Sequence, residues 1–106
     1  MIVVTTESVS GYKISKHLGT VVGNTIRARH VGKDILAGLK TIIGGEISEY
    51  TKMMAESREQ SLSRMIRQAE QLEADAIVAI RFQTSMIMTS TAELLVYGTA
   101  VKLKQI

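Results

Sequence analysis

The side chains best suited to metal chemistry are two histidines and one carboxylate. His17 and His30 lie 13 positions apart, whereas His30 and Asp34 are four apart and would share a helix face if the first helix began as early as His30. Transition metals accept imidazole nitrogen and carboxylate oxygen, but a tight site needs three or four ligands. The chain has no cysteine, so no thiolate can complete the set. We expect no assembled metal site; His17, His30 and Asp34 remain candidate ligands if a ring multiplies one of them by symmetry.

The densest basic stretch consists of Arg27, Arg29, His30 and Lys33. It could contact an anion or a nucleic acid, or it could be a solvated strand end facing an acidic helix of a neighbouring copy. The chain has one phenylalanine, three tyrosines and no tryptophan, which is a poor supply for stacking bases. We therefore do not expect a nucleic-acid partner.

No pattern of residues indicates catalysis. Neither histidine has a sequence context that identifies a nucleophile, and residues 44–46 lack the further glycines and lysine of a phosphate loop. Asp75 follows a predicted long helix, where it is expected to bond backbone donors. The apolar residues 86–88 could line a ligand site, or fill a core or interface. We expect a protein without enzyme activity or cofactor, while a small-ligand carrier or an enzyme with a site between subunits stays open.

The elements that would position these residues follow from apolar periodicity. Residues 2–5 and 12–29 read as strands, the second bent at its glycines. Alternation places Ile14, Leu18, Val22, Ile26 and Ala28 on one face of that strand, opposite Gly19 and Gly23. Three-and-four spacing predicts a short helix over 31–43, ended by Gly44-Gly45, and a long helix over 47–72. Residues 76–82 and 92–103 read as two strands joined by a hairpin at 89–91.

Length and composition fit one domain over residues 1–106, of which 45% are apolar. The start of the chain does not resemble a signal peptide, and no apolar run approaches the roughly 20 residues of a membrane span. We therefore expect a soluble, cytoplasmic protein that does not bind a membrane. Its charge is segregated, because residues 46–75 are net acidic and the segments on either side are net basic. Such segregation can steer association between copies.

The last two predicted strands indicate an oligomer. Residues 76–80 are apolar on both faces, and residues 92–103 place large apolar side chains on both faces as well. A strand that is apolar on both faces needs cover on both, and one long helix covers only one side of a sheet. We expect a second subunit to cover the other side.

The order and spacing of several features resemble the YbjQ-like family, whose label refers to heavy-metal binding. The resemblance extends over nearly the whole chain, and its features are Gly19, Gly23, Gly44-Gly45, Tyr50, Arg58, Ala69, Leu72, residues 74–78, residues 98–101 and a basic tail. This sequence differs from the family pattern at Glu73, where relatives commonly have glycine. It also lacks a cysteine that some relatives carry near His17 and Leu18.

The resemblance implies an α+β subunit in which an antiparallel sheet packs on one long helix plus a short helix, with a topology similar to that of dodecin-like proteins. It also implies assembly as a homopentameric ring, and no established activity. We therefore expect a homo-oligomeric binding or structural protein, with a metal-binding protein using His17 or His30 as one alternative. If the long helix ends at Glu73 with a positive φ, this side chain strains the backbone there.

Overall fold

The computed structural model describes residues 1–28, 48–89 and 91–106. In this part of the chain, strands β1 (Ile2–Val3) and β2 (Tyr12–Ala28) precede one helix, α1 (Ser48–Gln71), which is followed by β3 (Ala76–Met88) and β4 (Thr91–Gln105). The α+β class, the long helix and the hairpin are confirmed. The predicted helix over 31–43 and its Gly44-Gly45 stop lie outside the described residues.

The four strands form one mixed sheet in the order β1-β3-β4-β2. β4 pairs antiparallel with both β2 and β3, as expected, but β1 runs parallel to β3, with Ile2 opposite Ala76. An entirely antiparallel sheet was therefore the wrong expectation. A two-residue strand carries no directional pattern, and its direction is decided by the edge on which it docks.

The helix covers one face of β2 and β4. Its buried side chains pack with those of the sheet into one core cluster: Val21, Met65, Ala69, Ile77, Ile80, Val96 and Ala100. The approach is closest at Gly23, where an added Cβ would lie 2.6 Å from the backbone nitrogen of Met65 and would overlap the carbonyl of Ser61. The missing side chain lets the helix backbone rest directly on the strand.

The faces predicted for β2 are confirmed except at Leu18, and the helix rests on the face that carries Gly23. Val21 and Thr25 flank Gly23 on the buried face, whereas Val22 and Ile26 are exposed on the other. Register shifts between Ile14 and Lys16 and between His17 and Gly19 mark bulges that break the alternation. Leu18 lies within the second shift and packs with the core on the helix side, so the predicted face is wrong at this residue. Ile14 precedes both shifts and Val22 follows them, and they share a face because two added residues bring the alternation back into phase.

The opposite face of the sheet has a smaller core near the start of β3. Ala76, Val78 and Val101 are buried there beneath Val4 and Val9, with Ile14 and Leu103 beside them. The expectation that a second subunit covers this part of β3 is wrong, since the chain's own N-terminal segment covers it. The part of the sheet farther along β3 has no such cover from that segment.

Helix α1 ends in a Schellman motif. The backbone N–H of Glu73 donates to the carbonyl of Glu70 (2.9 Å), and that of Ala74 donates to the carbonyl of Ala69 (3.1 Å). Glu73 itself has a φ of 61°, in the left-handed region. The condition set for the strain argument is therefore met, in the position where glycine is ordinarily favoured.

Candidate functional site

A polar seam joins the first half of α1 to the far end of β2. The buried hydroxyls of Thr25 and Ser61 lie 3.1 Å apart, and the Ser61 hydroxyl donates to the carbonyl of Leu94 (3.1 Å). Arg27 donates through Nε to the Ser57 hydroxyl (3.1 Å) and through Nη2 to the Gln60 side chain (2.8 Å). Because these groups bond one another, burial costs little, and the seam fixes where the helix sits along the strand.

The seam changes the interpretation of the basic stretch. Arg27 is half-buried, and its guanidinium bonds the helix. It therefore holds helix and sheet together and is not a free group for an anion. Arg29, His30 and Lys33 lie outside the described residues. Sequence reasoning missed the seam because serines at positions 57 and 61 interrupt the apolar stripe; small hydroxyl residues on the inner face of a helix were the available signal.

Helix side chains also occupy the outer edge of β2, which is one edge of the sheet. The Gln68 side-chain oxygen accepts the backbone N–H of Val22 (2.7 Å), and Arg64 donates through Nη1 to the carbonyl of Asn24 (2.5 Å). These bonds use the backbone groups that an added strand would need. Farther along the same edge stand Lys13, Lys16 and the two bulges. The β2 edge therefore has several features that oppose strand addition.

Asp75 has a structural role, as predicted. Its Oδ2 accepts the backbone N–H of Leu103 (2.8 Å), and its Oδ1 lies 4.0 Å from the Lys102 ammonium. Its own backbone N–H donates to the carbonyl of Val101 (2.9 Å). The carboxylate thus fastens the start of β3 to β4.

Two apolar surfaces remain exposed at the far end of the sheet. The first, here called the distal patch, consists of Val22, Ile26, Leu95 and Tyr97 on the face opposite the helix. The register places Val22 opposite Tyr97, and Ile26 has 59% of its surface exposed. A bond from the Asn24 amide to the Glu93 carboxylate (3.1 Å) crosses the patch. A large exposed apolar area of this kind is typical of an interaction surface.

The second surface is the outer half of β3, residues 82–88, here called the β3 arm. Every residue of the arm is exposed. Phe82 and Met86 lie opposite Val96 and Ala92 on the helix side of the sheet, and they are 45% and 76% exposed. Helix α1 lies over β2 and β4 and does not cover the arm. Residues 86–88, which were predicted to line a ligand site or fill a core or interface, are thus outside the core of the described chain.

A depression of about 510 Å³ lies along the first half of α1. Its described lining is Lys52, Ala55, Glu56, Glu59 and Gln60. All five come from one helix, and their charged groups are one ammonium and two carboxylates. Among these described residues, no polar groups from different elements point toward one position where a ligand could be held.

The fold and these surfaces define a small α+β domain whose described residues have one protected sheet edge and an exposed apolar end. The chain belongs to the YbjQ family, because that family's model, described as "Putative heavy-metal-binding", matches residues 1–104. A UPF0145 protein of Archaeoglobus fulgidus is 57% identical over 104 residues, covering 98% of this chain and 96% of its own. A UPF0145 protein of Methanosarcina acetivorans is 52% identical over 103 residues, covering 97% of each.

A solved structure shows the same fold. The crystal structure of a DUF74-family protein of unknown function from Pediococcus pentosaceus superposes with a TM-score of 0.71 at 17% identity, covering 98% of each chain. At that identity the likeness concerns the fold alone. Within the described residues, no helix is long and apolar enough to cross a membrane.

The described residues do not fit the heavy metal named in the family's description. His17 lies exposed on β2, next to a bulge. Across residues 1–28, 48–89 and 91–106, no three His, Asp or Glu side chains come together in a way that could hold an ion. His30 and Asp34 lie outside this part of the chain. The soft thiolate ligands that heavy metals favour are missing from the whole sequence.

Proposed function

We propose that the protein is a homopentameric ring that acts as a binding or structural scaffold, without enzyme activity, in the cytoplasm. The observation that supports assembly is the pair of exposed apolar surfaces at the far end of the sheet. The distal patch lies on β2 and β4 and the β3 arm on the neighbouring strand, and together they leave Phe82, Met86 and Ile26 in contact with water. Burying such surfaces between copies removes apolar area from water, which is the main driving force of association.

The dimensions of the chain support the same proposal. The Cα radius of gyration is 17.4 Å and the principal extents are 55 × 25 × 16 Å. A self-sufficient domain of this length has a radius of gyration of about 13 Å. The chain is therefore more elongated than a self-sufficient domain of its length, as expected of a subunit that packs against neighbouring copies. The number five comes from the family resemblance, and each ring contact would join two different surfaces, as cyclic symmetry with five subunits requires.

Native mass spectrometry tests the ring. We expect masses that are multiples of about 58 kDa, five times the chain mass of 11.6 kDa. The variant Ile26→Glu places a charge in the distal patch and should dissociate the ring at micromolar concentration. Ile106→Glu is the matched control, since Ile106 is 90% exposed at the end of the chain, and it should leave the mass unchanged. A monomeric wild-type protein would refute the proposal.

The same spectra address the alternatives. A retained organic molecule in stoichiometric amount would favour a small-ligand carrier or an enzyme with its site between subunits. A retained metal ion would favour the metal-binding alternative, with His17 and His30 as the first residues to change.

A further inference from the structure

The two edges of the sheet differ in whether their backbone groups are free to pair with an added strand. The β2 edge is closed by Gln68 and Arg64 and bears lysines and bulges. At the other edge, the N-terminal segment bonds the first half of β3, and its last contacts are Val4 with Ile80 and Thr6 with Ala79. The Arg81 side chain then bonds the carbonyls of Thr5 and Ile80. Among the described residues, no hydrogen bond to this edge is recorded beyond that point.

Alternation shows which backbone groups are left over. The N–H of Ile80 points outward, because it donates to Val4 (3.2 Å). Ile80 itself lies in a register shift, but the register with β4 is regular from Arg81 to Met86. Val22 and Asn24 point away from β4, so their partners Tyr97 and Leu95 bond β3 through Arg81 and Gln83. Phe82, Thr84 and Met86 therefore direct their N–H and C=O groups outward. No charged residue, proline or glycine lies between Phe82 and Ala92. An open edge without those protective residues is a template for another strand.

We propose that the β3 arm pairs antiparallel with the β3 arm of a second copy, across a two-fold axis at Thr84. This inference rests on the proposed assembly and adds a contact between one ring and another. The second copy is the occupant because the arm's sequence complements itself in this register. Phe82 of each copy lies opposite Met86 of the other, and Thr84 lies opposite Thr84.

The register satisfies both faces of the new pair. On the helix side it joins an aromatic ring to a thioether, and threonine to threonine, which are favourable cross-strand pairs. On the other face Gln83 lies opposite Ser85, so two polar side chains meet. The arm carries no charge, so no like charges are opposed. The three hydrogen-bonded pairs, at Phe82, Thr84 and Met86 of one copy, would supply about six backbone hydrogen bonds.

A two-fold contact of this kind has a consequence for stoichiometry. A five-membered ring has no two-fold axis within it, so the arms would join one ring to another. The complete particle would then contain about ten chains, roughly 116 kDa, with dihedral symmetry. The edge of each β3 strand would be removed from solvent.

Cysteine cross-linking tests the axis directly, because the natural chain has no cysteine. Thr84→Cys should form a covalent dimer in a glutathione redox buffer, since directly opposite Cα atoms in a hydrogen-bonded pair lie about 5.5 Å apart, within disulfide range. Thr20→Cys, on the outer edge of β2, is the matched control and should stay reduced. Equal dimer yields from the two variants would overturn the proposal.

A second variant tests the backbone bonds. Thr84→Pro removes one outward N–H without taking a hydrogen bond from β4, so the subunit should keep its circular dichroism spectrum while its native mass halves. Thr84→Val retains the N–H and should retain the mass. A Thr84→Pro particle as large as that of Thr84→Val would contradict strand pairing. A five-chain particle without cross-linking would refute this contact and leave the ring standing; a cross-linked dimer alone would do the reverse.

Discussion

Replacing Glu73 by glycine is expected to stabilise the protein. Glu73 occupies the left-handed position of the Schellman motif with a φ of 61°. A non-glycine residue pays about 1–2 kcal/mol for that conformation. Glycine loses more backbone entropy on folding than other residues, an opposing cost of about 0.5–1 kcal/mol. The net expected gain in the free energy of unfolding is about 0.5–1 kcal/mol.

The charge of Glu73 contributes in the same direction. The carboxylate stands just past the C-terminus of α1, whose last turn contains no basic residue. Negative charge at this end of a helix is unfavourable by a few tenths of a kcal/mol at an exposed position. Glu73→Ala separates the two effects, because alanine removes the charge and keeps the Cβ. Glycine should therefore be more stable than alanine by most of the gain.

Urea denaturation of the three proteins at one fixed chain concentration measures the difference, since the stability of an oligomer depends on concentration. In a thermal melt the gain corresponds to about 2–8 °C for a domain of this size. If Glu73→Gly is no more stable than Glu73→Ala, the strain argument is refuted. If both variants gain equally, the charge is the whole effect.

The remaining predictions concern the helix contact and the metal. Gly23→Ala should destabilise the fold by about 1–3 kcal/mol, because its Cβ would meet the backbone of α1; in urea denaturation, the exposed neighbour Thr20→Ala should change little, and equal effects would contradict the close approach. Zinc, copper and nickel should bind no more tightly than about micromolar, as befits at most two ligands per chain. Calorimetry on the native protein and on His17→Ala and His30→Ala checks this, and nanomolar binding lost in either variant would restore the metal hypothesis.

Local sequence determined the elements of this protein. The long helix was predicted over 47–72 and extends over Ser48–Gln71, and the hairpin between the last two strands is where the threonines and serine of 89–91 indicated it. The left-handed end of α1 at Glu73 was raised as a condition by the family resemblance, in which glycine is common at this position. These features depend on contacts within a few residues, where periodicity, turn chemistry and backbone sterics act directly.

Tertiary structure decided the faces of β2 and the cover of β3. The bulges near Ser15 and Leu18 leave no mark in the pattern of apolar residues, yet they turn Leu18 to the helix side, and the contact at Gly23 decides which face meets the helix. Val4 and Val9 cover the start of β3 from more than 65 positions away in the chain, so a reading of β3 alone assigned that cover to another subunit.

For the β3 arm, too, the sequence predicted one part and the tertiary structure decided the other. The sequence identified residues 86–88 as available for an interface, and it showed that the arm carries no charge. Only the fold revealed that Gln68 and Arg64 bond one sheet edge, while no other part of residues 1–28, 48–89 and 91–106 bonds the opposite edge beyond Arg81. Edges are a property of strand order, and strand order is settled by which distant segments bury the most apolar surface together.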